Sequence, residues 1–165
     1  IDEYVEMIRL KTAVLLSCAL QVGAAIAGAS VEEREHIGAY GEHLGLAFQL
    51  RDDLLDAFGD PGKVGKQVGG DLRAGKKTYL LIRGLELSLA AGRHELREEL
   101  AKAPADRNVQ RMLNVLEELG VRAETEAEVH KHDAQAMAGL AALNVPLERK
   151  TALTQLAAAL LQRTS

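Results

Sequence analysis

The feature that most constrains this chain is an acidic trio, Asp52, Asp53 and Asp56, at the end of the apolar run that begins at Phe48. The run contains no Gly or Pro, so it predicts a helix on which residues three and four apart share a side. Like charges at this spacing repel by about 0.2–0.5 kcal/mol per pair even on an open helix surface. We therefore expect a cation opposite the trio. The alternative is a solvated acidic turn near a helix end.

The chemistry of the acidic trio favours a hard cation. Carboxylate oxygens without a nearby His or Cys favour Mg²⁺ before Ca²⁺. In proteins Mg²⁺ is usually held by one or two carboxylates, and waters and substrate phosphates complete its shell. The trio thus predicts a Mg²⁺ site that can share its ligand sphere with a phosphate group.

The composition predicts an all-α protein. Aromatic residues make up 3% of the 165 residues and Trp is absent, so the core must be aliphatic, which favours helices. The length suits a single helical domain over 1–165. A net charge of -4 implies no nucleic-acid partner. The single Cys18 excludes an internal disulfide and fits the cytoplasm. We expect no membrane span, because no uncharged run is long enough.

Apolar periodicity predicts a helical bundle without strands. Ser30 and Glu33 form the sequence signature of a capping box at the start of the second helix. His130 and His132 lie on a charged segment and are predicted to be solvated. The predicted helices run from Asp2 to about Gly28, Val31 to Phe58, Lys76 to Ala91, His94 to Ala103, Asn108 to Leu119, Glu124 to Leu143 and Pro146 to Gln162.

Three glycines, Gly38, Gly41 and Gly45, line the strip of the second helix that continues to Gln49 and Asp52. Each glycine costs a helix roughly 0.8–1 kcal/mol relative to Ala. Either a neighbouring helix packs very close to this strip, or the strip lines a channel that ends at the carboxylates.

Two basic features accompany the trio. Lys11 and Thr12 interrupt the apolar stripe of the first helix, where a Lys needs an anionic partner or must extend its ammonium to the edge of the bundle. The segment from Gly59 to Gly75 is rich in Gly, Lys and Asp. Loops of this length in compact proteins usually belong to functional sites, and the alternative is a solvated connection. Together these are the parts of a Mg²⁺–diphosphate site inside a water-excluding aliphatic wall, which suits an isoprenoid carbocation.

Three stretches carry a resemblance to a known family. They are Met7–Ala13, Gly45–Asp56, and Gly65-Lys66 followed by Gly70-Asp71 and Gly75–Thr78. With these motifs the chain resembles the C-terminal half of the trans-isoprenyl diphosphate synthases, the farnesyl and geranylgeranyl diphosphate synthase family, most like its bacterial members. The resemblance covers roughly the first half of the chain. It implies the C-terminal part of the all-α isoprenoid synthase fold in a homodimeric protein.

The resemblance assigns metal-binding roles to four carboxylates. Asp52, Asp53 and Asp56 match the second aspartate-rich motif of the family. Asp52 is then expected to bind Mg²⁺ directly, while Asp53 and Asp56 support it through water or indirect contacts. Asp71 is expected to hold a metal-bound water.

The resemblance also assigns roles in substrate binding. Lys11 and Lys66 are expected to bind the allylic diphosphate, and Lys76 to close the loop over the phosphates. Thr12 and Gln49 are expected to lie against the reacting carbons, where their oxygens stabilise cationic charge. The implied reaction is ionisation of an allylic diphosphate, attack by the double bond of isopentenyl diphosphate, and proton loss to the departing diphosphate.

One departure from the family is large. The first aspartate-rich motif lies upstream of the matched region and is absent from these 165 residues. We therefore expect a C-terminal fragment of a longer synthase that is inactive alone and exposes apolar surface on its first helix. Two other readings stay open: a non-catalytic subunit of a heteromeric prenyl synthase, and a helical terpene cyclase.

Overall fold

The computed structural model describes residues 1–59 and 68–161, and these residues form helices and no strand. A π-helical turn, Arg9–Ala13, joins the first two α-helices, and a 3₁₀ turn, Pro104–Asp106, precedes the seventh. The α-helices are α1 (Asp2–Ile8), α2 (Val14–Ile26), α3 (Val31–Phe58), α4 (Gly70–Ala74), α5 (Tyr79–Ala90), α6 (Glu95–Leu100), α7 (Val109–Glu118), α8 (Val121–Ala142) and α9 (Leu147–Leu161).

The chain divides into two compact units. The first unit contains Ile1–Tyr4 and Leu50–Ala127, and the second contains Val5–Gln49 with the residues from Glu128 onward. Helix α3 contributes residues to both units. The acidic trio belongs to the first unit, whereas Lys11, Thr12 and Gln49 belong to the second.

The core of the second unit is aliphatic, as the composition predicts. Tyr40, Leu44 and Leu140 are fully buried there, together with other side chains of α3, α8 and α9. The hydroxyl of Tyr40 donates a hydrogen bond to the carbonyl oxygen of Leu153, at 2.7 Å. This bond satisfies a polar group that would be costly to bury alone.

The glycine strip of α3 lets α2 and the π-helical turn approach closely. A Cβ atom at Gly45 would lie 2.6 Å from the Cα of Ala13, and one at Gly41 would lie 2.9 Å from the Cα of Ser17. Both contacts are with backbone, which cannot move aside as a flexible side chain can. Close helix packing, the first of the two explanations for the strip, is therefore confirmed at these positions.

The core of the first unit lies among α4, α5, α6 and α7, with Leu72, Leu80, Leu96, Met112 and Leu116 buried. The corner between α6 and α7 is held by the buried carboxylate of Glu99. This carboxylate accepts hydrogen bonds from Lys102 and Arg111 and from the backbone N–H of Asn108. Hydrogen bonding to these donors holds the pKa of Glu99 at about 2.

The helix predictions are confirmed in number and order except at two places. The first helix is not uniformly α-helical, because the π-helical turn widens it at Lys11 and Thr12. The loop predicted from Gly59 to Gly75 contains the short helix α4, which is flanked by two glycines with positive φ, 77° at Gly69 and 72° at Gly75. Positive φ values are accessible to Gly without steric cost, so these two residues permit the sharp entry and exit.

The remaining differences concern helix ends and one histidine. Helix α5 begins at Tyr79 rather than Lys76, because the Thr78 side chain caps it by accepting a hydrogen bond from the N–H of Leu81. The predicted capping box of α3 is confirmed: Ser30 and Glu33 exchange side chain–backbone hydrogen bonds of 2.8 and 3.2 Å. The solvated assignment of His132 is wrong, since its ring is partly buried against His43.

The helical segment Asp2–Ile26 is apolar and largely exposed. Leu15 is 72% exposed and Ile26 is 84% exposed, which confirms the expected apolar surface. By length and composition alone this is the one segment in 1–59 and 68–161 that could cross a membrane, with a mean hydropathy of 1.3. Packed helices of bundles have the same properties, and here Ala13 and Ser17 lie against the glycines of α3.

Candidate functional site

The three carboxylates of α3 have different surroundings. Asp52 is exposed and has no hydrogen-bond or ion-pair partner among the residues that the structure describes. Asp53 is partly buried and accepts a hydrogen bond from the hydroxyl of Tyr4. Asp56 is partly buried and accepts one from the backbone N–H of Asp71, at 2.9 Å. Two members of the trio are therefore held by protein donors, whereas the Asp52 carboxylate has no such donor within residues 1–59 and 68–161.

Burial raises the pKa of Asp53 to about 6, opposed by the hydrogen bond from Tyr4 and reinforced by the negative charge of Asp71. Burial also raises the pKa of Asp56, opposed by the N–H of Asp71. Clustered carboxylates with raised pKa values are held in the charged form at an energetic cost. A cation bound among them would remove part of that cost, as the sequence-based argument expects.

Helix α4 brings a further carboxylate to the end of α3. The N–H of Gly69 donates to the carbonyl of Asp56 at 2.6 Å, next to the bond from Asp71 to the Asp56 side chain. Lys76 donates a hydrogen bond to the Asp71 carboxylate, and this bond raises the pKa of Lys76. The structure thus brings together Asp53, Asp56, Asp71 and Lys76 of the predicted set. Lys66, predicted to bind diphosphate, lies outside the described residues.

Lys11 and Thr12 lie on the π-helical turn of the second unit. The hydroxyl of Thr12 donates a hydrogen bond of 2.7 Å to the side-chain oxygen of Gln49, so these two predicted residues are in direct contact. Lys11 is exposed, so its ammonium needs no anionic partner within the protein. Insertions of π-helix inside α-helices occur frequently at functional sites.

Lys11 and Thr12 also line an open cavity of about 470 Å³. Its other walls are formed by Leu15, Leu16, Ala19, Gly45, Phe48 and Leu160. The lining therefore combines a cationic and a hydroxyl-bearing side chain with aliphatic and aromatic ones. Such a space fits an amphiphile with an anionic head and a hydrocarbon tail.

The donor chemistry of the first unit fits Mg²⁺. The candidate ligands are all carboxylate oxygens, which suit a hard cation. No group of three His, Cys, Asp or Glu side chains in the described part of the chain forms a preassembled metal cage. Mg²⁺ does not require one, because it commonly binds one or two carboxylates and keeps waters or phosphate oxygens in its remaining positions.

Tyr4 is the residue of this cluster that the sequence-based reasoning missed. It lies in the first turns of α1 and is 5% exposed, and it reaches Asp53 across 49 residues of sequence. Its only signal in the sequence is its place on the apolar stripe, four residues before Ile8. A tyrosine on such a stripe is ordinarily assigned to the core, so no local pattern identifies its hydroxyl contact.

Comparisons with known proteins agree with this geometry. Residues 1–118 match the model of the polyprenyl synthetase family. The chain is 47% identical over 85 residues to a short chain isoprenyl diphosphate synthase of Methanocaldococcus jannaschii, covering 52% of this chain and 26% of that protein. It is 36% identical over 150 residues to a (2E,6E)-farnesyl diphosphate synthase of Mycobacterium bovis, and this match covers 88% of this chain and 42% of that protein.

A solved structure agrees as well. The crystal structure of a geranylgeranyl pyrophosphate synthase superposes with a TM-score of 0.86 at 40% identity, covering 100% of this chain and 52% of that one. The all-α fold is that of the isoprenyl synthases, and the chain belongs to the polyprenyl synthetase family. The predicted resemblance is confirmed. The chain spans between a quarter and a half of the length of the curated relatives it matches.

Proposed function

We propose that this chain is the C-terminal part of a Mg²⁺-dependent polyprenyl diphosphate synthase of the farnesyl or geranylgeranyl type. Its reaction would join an allylic diphosphate to isopentenyl diphosphate and give a longer trans-polyprenyl diphosphate. The observation that carries the proposal is the acidic cluster, in which Asp53 and Asp56 are held by Tyr4 and Asp71 and Asp52 has no partner among the described residues. Family membership supports the same reaction class.

In this proposal the acidic cluster holds the metal. Asp52 would bind Mg²⁺ directly, and Asp53, Asp56 and Asp71 would support it. When bound, Mg²⁺ supplies positive charge that stabilises a departing diphosphate. Lys76 is paired with Asp71, so it is placed to exchange that carboxylate for a phosphate oxygen. Its exposed side chain can make this exchange at small cost, because exposed ion pairs are weak.

The cavity residues would receive the allylic substrate. Lys11, with Lys66, would bind the diphosphate. The hydroxyl hydrogen of Thr12 is donated to Gln49, so the lone pairs of the Thr12 oxygen remain available to a developing carbocation. The half-buried Leu16 and Phe48 would contact the hydrocarbon part of the substrate and shield it from water on that side.

The cellular setting is also part of the proposal. We infer that the protein acts in the cytoplasm as a homodimer and that 1–165 behaves as one helical domain. The single, exposed Cys18 needs no oxidising compartment. The apolar side chains exposed on α2 supply surface that a protein partner could cover. Light scattering coupled to size-exclusion chromatography would measure the mass of the assembly.

The main alternatives are separable by products. Incubation of the longer protein that would contain this chain with isopentenyl and allylic diphosphates should give linear longer diphosphates for a synthase and a cyclised hydrocarbon for a cyclase. A non-catalytic subunit would give product only with a partner chain. The retention of Lys11, Asp52 and Asp53 favours an enzyme, because a non-catalytic subunit has no need to keep these residues.

The decisive experiment for this chain is a binding measurement. Isothermal titration calorimetry with Mg²⁺ and inorganic diphosphate should detect binding to the wild type. Asp52→Asn should weaken it by about tenfold or more, since it replaces the carboxylate by a neutral amide of the same size. Glu148→Gln on α9 removes the same charge from an exposed side chain and should leave binding unchanged. Equal affinity of wild type and Asp52→Asn would contradict the proposal.

A further inference from the structure

The hydroxyl of Tyr4 makes a contact that its position in the core does not require. Its ring is buried and packs edge-to-face on Tyr79, with centroids 6.4 Å apart and an interplanar angle of 68°. Its oxygen donates to Oδ2 of Asp53. A phenylalanine could fill the same space and keep the aromatic contact. The hydroxyl therefore has a task separate from packing, and that task concerns Asp53.

The bond from Tyr4 limits what Asp53 can do. The hydroxyl of Tyr4 donates to Oδ2, and the backbone of Tyr79 is a second hydrogen-bond partner of the same carboxylate, so the orientation of Asp53 is restricted from two directions. Tyr4 is the donor in this bond, because an ionised carboxylate can only accept hydrogen bonds. Residues that orient a metal-binding carboxylate without touching the metal typically change metal affinity by 10–100-fold when they are replaced.

We propose that Tyr4 is a positioning residue of the acidic cluster, which fixes Asp53 and thereby sets the affinity of the cluster for Mg²⁺. This inference rests on the proposed Mg²⁺–diphosphate function. It couples the first turns of α1 to the acidic end of α3, two segments that are remote in sequence. The bond also helps to explain why Asp53 is tolerated in a partly buried place, because hydrogen bonds from the Tyr4 hydroxyl and from the Tyr79 backbone stabilise its charged form.

A matched control separates positioning from simple structural support. Tyr40 is also buried and its hydroxyl also donates a hydrogen bond, but to the carbonyl of Leu153 in the second unit. Tyr4→Phe and Tyr40→Phe each remove one oxygen and one buried hydrogen bond. Both should lower the melting temperature by similar amounts. Only Tyr4→Phe should change the binding of Mg²⁺ with inorganic diphosphate, measured by calorimetry on the 165-residue chain.

We expect Tyr4→Phe to weaken this binding by about tenfold or more, and Tyr40→Phe to leave it at the wild-type value. A Tyr4→Phe protein that binds as the wild type does, or a Tyr40→Phe protein that is weakened equally, would overturn the inference. Absence of binding by the wild type would instead refute the proposed function, and the role of Tyr4 with it. The two failures are therefore distinguishable.

A double-mutant cycle covers the case in which Tyr4→Phe lowers stability more than expected. If Tyr4 acts through Asp53, then Tyr4→Phe should have no further effect on affinity in an Asp53→Asn background, because the oriented group is already gone. Additive losses in the double variant would show that Tyr4 acts by another route and would also overturn the inference. Circular dichroism at the titration temperature identifies variants that are folded.

Discussion

Replacing Asp53 by Asn should make the metal-free protein more stable at neutral pH. Burial raises the pKa of the Asp53 carboxyl from 3.8 to about 6, which means that its ionised form is disfavoured in the folded state. This pKa difference lowers the free energy of unfolding by about 3 kcal/mol at pH 7, since each pKa unit corresponds to about 1.36 kcal/mol. Asn has almost the same shape and its amide oxygen can still accept the hydrogen bond from Tyr4.

The gain in the free energy of unfolding expected for Asp53→Asn is smaller than this value of about 3 kcal/mol. A neutral acceptor makes a weaker bond with the Tyr4 hydroxyl than a carboxylate does, which removes part of the advantage. We expect Asp53→Asn to raise the free energy of unfolding at pH 7 by about 1–3 kcal/mol. Urea denaturation of both proteins, in buffer with a metal chelator, measures the difference.

The pH dependence provides a second check. Because the folded-state pKa is raised, the folded protein binds more protons than the unfolded chain between about pH 4 and pH 6. The contribution of Asp53 to stability is therefore fully present below pH 4 and is lost as the pH rises through 6. The advantage of Asp53→Asn should be largest at pH 7 and should vanish below pH 4. A gain that is equal at both pH values, or no gain at pH 7, would refute this reasoning.

Two other predictions concern the second unit. Gly45→Ala should destabilise the protein by about 1–3 kcal/mol, because its Cβ would lie 2.6 Å from the Cα of Ala13. Gly23→Ala should instead stabilise the protein by about 0.5–1 kcal/mol, because no atom lies within 4 Å of the added Cβ. Comparable thermal melts for the two variants would contradict this. His43 and His132 face each other with Nδ1 atoms 3.1 Å apart, and burial lowers both pKa values. The unfolded chain therefore binds protons more readily, so the free energy of unfolding should decrease as the pH falls below about 6.5. His132→Gln should flatten that dependence in melts between pH 7.5 and 5, and an unchanged slope would show that other groups cause it.

Much of the architecture follows from local signals in the sequence. Helix α3 begins where Ser30 and Glu33 form a capping box and ends at Phe58, directly before the sequence Gly59-Asp60-Pro61-Gly62, so both of its ends were predictable. The aliphatic composition determines the all-α class, because neither Trp nor a strand pattern is present. The acidic trio identifies the metal-binding candidates, since like charges three and four residues apart are disfavoured without a cation.

Contacts between distant segments were decided only by the tertiary structure. The bond from Tyr4 to Asp53 joins residues 49 positions apart, and no spacing rule relates them. The π-helical turn at Lys11 and Thr12 is formed by residues that an α-helix would also accept, so no local pattern identifies it. The pairing of His43 with His132 depends on α3 and α8 lying side by side. Sequence patterns report which face of a helix is apolar, but only packing determines which residues meet there.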